Sequence, residues 1–211
     1  MQNLLIELYE TIARYHAIGL DFESYLNQNS NQRRRFGEIV ANKFESREYD
    51  RWMELINKIQ PLIPGFSCLS PSQNPGLFGQ ALVEGTEWGN MIFQRFINLE
   101  VSLFGPYYFI HFTEYSSRKS GERSLPTTII SNVREHGNLF NELTELFSSI
   151  FPGYKMIPFR LLSFEIKGLD VNGIRNSYGG RIYHGIFNNN DDILKGRIID
   201  DFREISQTFG T

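Results

Sequence analysis

The chain has 211 residues, 41% hydrophobic and 21% charged, with a formal net charge of -3 and a pI of about 5.8. This length predicts one globular domain over 1–211, burying about 70% of its unfolded surface without a metal or staple. The lack of a basic excess counts against nucleic acid as a partner, because such domains displace phosphate counterions with Lys and Arg, and the single cysteine, Cys68, excludes an internal disulfide.

The first stretch, "MQNLLIELYETIARYH", has no basic leader, and Glu7 and Glu10 interrupt its apolar residues. It reads as a helix and not as a signal peptide. No apolar run approaches the roughly 20 residues that cross a bilayer. The expected location is therefore cytoplasmic, with no membrane partner. Leu4, Leu5, Leu8, Ile12 and Tyr15 form one apolar stripe at helical spacing, and Gly19 is a plausible stop. "LDFESYL" predicts a short helix. Phe36, Ile39, Val40 and Phe44 predict the next, and Trp52, Leu55, Ile56, Ile59, Leu62 and Ile63 another, closed by Pro61 and Pro64. Residues 1–63 thus form a helical part. Its one basic run, Arg33 to Arg35, fits a solvated helix start or a contact for an anionic partner.

Residues 64–90 are rich in Pro and Gly and are read as a long loop, either a linker or a lid. Cys68 lies in it without a sequence-adjacent base that would make it a nucleophile. The sheet-containing part spans 91–211. Phe93, Arg95, Ile97, Leu99, Val101 and Leu103 alternate with Gln94, Phe96, Asn98, Glu100 and Ser102, the period of a half-buried strand. "YYFIHFTEY" follows Gly105-Pro106 as a second strand. An even-length loop centred on Gly105-Pro106 pairs Val101 with Ile110, Leu99 with Phe112, Glu100 with His111 and Asn98 with Thr113. Apolar then meets apolar and polar meets polar, whereas a one-residue slip inverts every side chain.

Further on, "TTIISNV" predicts a strand, and Leu139, Phe140, Leu143, Leu146, Phe147 and Ile150 a middle helix ended by Pro152-Gly153. Phe159–Leu169 and Gly179–Phe187 read as strands. Leu194, Ile198, Phe202 and Ile205 predict a C-terminal helix. The fold class is α+β: N-terminal helices packed on a mainly antiparallel sheet, with a middle and a C-terminal helix.

No nucleotide, hydrolase-elbow or EF-hand motif occurs, and His16, His111, His136 and His184 stand in no zinc-binding spacing, so neither metal nor cofactor is expected. Asp191-Asp192 and Asp200-Asp201 fit helix-end and solvated-face charge. Glu100 beside His111 offers a carboxylate that orients an imidazole base, or simple cross-strand pairing. Arg181 and His184 follow Gly179-Gly180, an anion-binding pattern or a turn before a strand. Phe96, Tyr107 and Phe109 fall on the less apolar sheet face, where aromatic residues suit an interface.

The leading expectation is a protein-binding, inhibitor-type (immunity-like) protein that works through an aromatic and acidic surface. Its partner is another protein or a second copy in a homodimer. The alternative is a small hydrolase-like enzyme with a site between the sheet and the 64–90 loop. That enzyme would use His111, Glu100, Glu114 or His184, with Arg95 or Arg181 for an anionic substrate.

Overall fold

The computed structural model describes residues 2–19, 31–69, 74–121, 127–129, 136–171, 180–187 and 197–199. The short helix expected at 20–26 and both acidic doublets lie outside them.

Helix α1, Gln2–Tyr15, buries Leu8 and Ile12, as its stripe requires. Helix α2, Asn31–Ala41, leads through a tight turn at Lys43–Glu45 into α3, Arg47–Ile59. The Ser46 side chain caps α3 by accepting from the Tyr49 amide at 3.1 Å, and Glu48 and Asp50 complement the positive helix end. Trp52, Leu55, Ile56 and Ile59 form its buried face. Lys43 is buried. It donates to the Gly76 carbonyl at 2.9 Å, and burial lowers its pKa to about 8.

The supposed loop is largely sheet. After the two-residue strand β1 at Ala17–Ile18, Ser67–Cys68 is strand β2, and Gly76–Trp88 is the long strand β3. Its glycines concealed it. At Gly79 a Cβ would lie 2.6 Å from Phe66 Cε1 and 3.0 Å from Trp52 Cζ2, so only glycine lets α3 and Phe66 seat on the strand. A two-residue turn at Gly89-Asn90 joins β3 to β4, Met91–Ser102. Gly89 takes a φ of 59°, the left-handed first position of a type II′ hairpin. Strand β5 is Tyr107–Arg118, and β6 is Thr127–Ile129. The sheet order is β2, β3, β4, β5, β6, then Arg197–Ile199. The long strands pair antiparallel; Arg197–Ile199 runs parallel to β6, and Lys155–Met156 parallel to the start of β5.

The β4–β5 pairing keeps the expected faces but slips by two residues. Val101 lies opposite Tyr108, Leu99 opposite Ile110, Asn98 opposite His111 and Glu100 opposite Phe109. The turn is centred one residue earlier because Phe104 is drawn inward. Its ring stacks on Tyr15 at 4.3 Å, and its amide donates to the Ser102 hydroxyl.

Helices cover both sheet faces. On one, Ile97, Leu99, Val101, Tyr108, Ile110 and Phe112 meet α3 and α4, Gly137–Ile150. On the other, Tyr107 and Phe109 meet α1, α5 (Phe159–Leu162) and α6 (Ile182–Ile186). The expected strands at Phe159–Leu169 and Gly179–Phe187 are therefore mainly short helices flanked by two-residue strands. Packing against the second sheet face overrides their β-like composition. The C-terminal helix expected from Leu194 to Ile205 lies outside the described residues except at Arg197–Ile199, which form a strand; the last described helix is α6. Among the described residues, no helix is long and apolar enough to cross a membrane.

Gly79→Ala should cost about 1–3 kcal/mol through overpacking. Gly85→Ala should be nearly neutral, since its nearest neighbour would be Leu82 Cδ2 at 3.8 Å. Urea unfolding of the two variants checks both.

Candidate functional site

The sequence brought Glu100 and His111 together, and they do lie close, but inside the protein. The imidazole face is not open. His111 is fully buried and Glu100 is 1% exposed, because α1 and α6 close over this side. Their contact is diagonal, 4.0 Å from His111 Nδ1 to Glu100 Oε1. Tyr183 on α6 donates its hydroxyl to both Glu100 oxygens, at 3.0 and 3.1 Å. Burial, then the Glu100 carboxylate, push the Tyr183 pKa well up.

His111 stacks on Phe109 at 4.6 Å, and neither ring nitrogen finds a hydrogen-bond partner among the described residues. Burial lowers its pKa to about 3, so it is neutral near pH 7. His16 behaves alike: its Nε2 donates to the Gly185 carbonyl at 3.1 Å, and burial takes its pKa to about 4. His184 is buried, and its Nδ1 accepts from the Arg181 amide at 3.1 Å at the start of α6. Arg181 and His184 thus shape a short helix start.

Tyr107 and Phe109 are 3% and 1% exposed, which corrects their expected place on a surface. Phe96 alone of that trio reaches the outer part of the sheet, half-buried and edge-on to Tyr115 at 5.8 Å. Cys68 packs its sulfur 3.3 Å from the Trp52 indole nitrogen. Arg33 to Arg35 lie exposed on α2, where Arg34 contacts Asn31 and Glu38. No cluster among the described residues could hold a metal ion.

The open site lies where the sheet outgrows its helices. A bulge at Val83-Glu84 offsets β3, and beyond it the rows of one face are Glu84/Arg95/Glu114, Thr86/Phe93/Ser116 and Trp88/Met91/Arg118. Arg95 anchors the first row. It donates to Glu114, lies 3.3 Å from Glu84 Oε2, and reaches His136 Nε2 at 3.1 Å. A guanidinium only donates, so His136 Nε2 is the acceptor of this bond. This row seals the core, since the His136 ring lies on Phe112.

Past it the apolar side chains meet water: Trp88 is 80% exposed and Phe93 40%. A recess of about 260 Å³ opens here, lined among others by Arg95, Phe93, Glu84 and Tyr115. Sequence reasoning missed Trp88 because it lay in the supposed loop. The two-residue Gly89-Asn90 turn was the available signal. Compared with protein-family models, curated proteins and solved structures, the chain matches none.

Two predictions follow from the buried groups. Tyr183→Phe should cost about 1–3 kcal/mol by removing a donor to a buried carboxyl, whereas Glu100→Gln keeps an acceptor and should cost less. Both are read by chemical unfolding.

The native state holds His16 and His111 neutral, so the unfolded chain binds more protons below its pKa of about 6.5. Stability should therefore fall as pH drops from 6.5 towards 4, by at most about 1.4 kcal/mol per pH unit for each histidine. His111→Leu should flatten this acid limb and leave the stability at pH 7 nearly unchanged.

Proposed function

We propose that the chain is a protein-binding, inhibitor-type molecule that acts through the projecting tip of its sheet and not by catalysis. The observation that carries this reading is the exposed Trp88, presented with Phe93 on a hydrogen-bonded β platform above Arg95. Trp, Phe, Tyr and Arg supply most hot spots of protein interfaces, and a preformed platform limits the ordering cost of binding. The recess beside Phe93 gives a partner side chain a place to insert.

The hydrolase-like alternative draws less support. Its loop is largely strand β3, its base is fully buried and lowered to a pKa of about 3, which makes it a weak base, and Tyr183 already engages its carboxylate.

A stoichiometric complex recovered from the native host tests the proposal. The double variant Trp88→Ala/Phe93→Ala should weaken that complex by at least about a hundredfold. Phe164→Ala, which truncates a 55% exposed residue elsewhere, should not. Unchanged binding by the double variant would remove the proposal's basis.

A further inference from the structure

The outer part of β3 presents an open edge. Only its inner part is paired on that side, where Ser67 and Cys68 lie opposite Gln80 and Gly79, and the Leu69 amide donates to the Phe78 carbonyl at 2.9 Å. Among the described residues, no strand pairs with this side of β3 beyond Gln80. The direction of the open groups follows from alternation. Phe78 turns its carbonyl towards β2, so Gly79 and Ala81 turn towards β4. The bulge at Val83-Glu84 resets the phase, so Glu84, Thr86 and Trp88 bond to β4. The Trp88–Met91 pair closing the two-residue turn agrees with this phase. Gly85 and Glu87 therefore aim their N–H and C=O groups outward.

We propose that this edge, 84–88, pairs antiparallel with the same edge of a second copy of the chain. This pairing does not need the partner-binding reading above, but the two compete for Trp88: a paired edge covers part of the indole that the sheet face would offer to a partner.

Charge selects the occupant. Glu84 and Glu114 share Arg95, Glu87 pairs with Lys119 at 2.7 Å, and Arg118 balances the remaining acidic charge at the tip, so the edge has no net charge to attract a basic strand. A neutral edge suits a neutral edge. Charge also selects the register. With the two-fold axis at Thr86, Gly85 faces Glu87 of the other copy, and both pairs exchange backbone hydrogen bonds. Glu84 then faces Trp88, and Thr86 faces Thr86 in the close, non-bonded position. An axis at Glu87 would set two carboxylates face to face, and an axis at Gly85 would run the pairing into the bulge. Pairing at Thr86 also draws Trp88 from water into contact with a neighbouring strand.

Sedimentation equilibrium on the full chain over a wide concentration range tests this. A reversible monomer–dimer equilibrium is expected. Gly85 has room for a side chain. Gly85→Glu sets like charges opposite Glu87 and should weaken the dimer about tenfold, while Gly85→Lys should tighten it. Neither should alter the unfolding of the dilute monomer. In a Cys68→Ser background, Thr86→Cys should form an intermolecular disulfide under mild oxidation, since facing Cα atoms fall within bridging range, and Glu84→Cys should not. A monomer at every concentration would overturn the proposal. So would a dimer indifferent to the charge at position 85, or equal cross-linking at 84 and 86.

Discussion

The structure depends on a mismatch of length. Strands β3, β4 and β5 have 13, 12 and 12 residues, each reaching about 40 Å at roughly 3.3 Å per residue. Helices α3 and α4 have 13 and 14 residues, only about 20 Å each at 1.5 Å per residue. The helices therefore cover part of the sheet and leave the rest uncovered. Burial records the division within one strand: β4 is buried from Ile97 to Ser102 and partly or fully exposed from Met91 to Phe96. The row of Glu84, Arg95, Glu114 and His136 stands at the boundary, where a partly buried guanidinium is answered before the chain enters water.

Under the helices, the second sheet face is polar yet closed. Asn98 donates to Thr113 at 2.8 Å, Ser102 to the Ile186 carbonyl at 2.9 Å, and Tyr183 to Glu100. Each bond satisfies a group that would otherwise be costly to bury. Two of these bonds come to or from α6, which ties a segment late in the chain to the middle of the sheet. His111 is the exception, held by ring stacking while its nitrogens stay unbonded among the described residues. This network gives the buried polar residues a structural occupation. The surface proposed to meet a partner lies instead at the far end of the same strands.

Much of this was legible in the sequence. The stripes of α1, α3 and α4 mark their buried faces, and the period of two in β4 separates Ile97, Leu99 and Val101 from Asn98 and Glu100. The α+β class followed from the order of these elements. Local pattern does not say whether a polar sheet face meets water or a satisfied interior, because the deciding donor, Tyr183, lies 83 residues from Glu100. Strand β3 was hidden by Gly76, Gly79 and Gly85, which weaken a strand signal although close packing demands the first two. Gly76 has no room for a Cβ beside the Phe187 carbonyl, 2.7 Å away. With β3 unseen, its hairpin and Trp88 were unseen too. The two-residue error in register came from Phe104, whose partners Tyr15 and His16 lie at and just past the end of the distant helix α1.

The two tryptophans make the division directly measurable. Trp52 is fully buried under the covered half, and Trp88 is 80% exposed at the tip. Fluorescence quenching of the single-tryptophan variants Trp52→Phe and Trp88→Phe, at dilute protein, reports each in turn. The account predicts red-shifted, readily quenched emission from Trp88 and blue-shifted, protected emission from Trp52. Equal protection of both indoles would show that the sheet has no uncovered end, and would contradict the account.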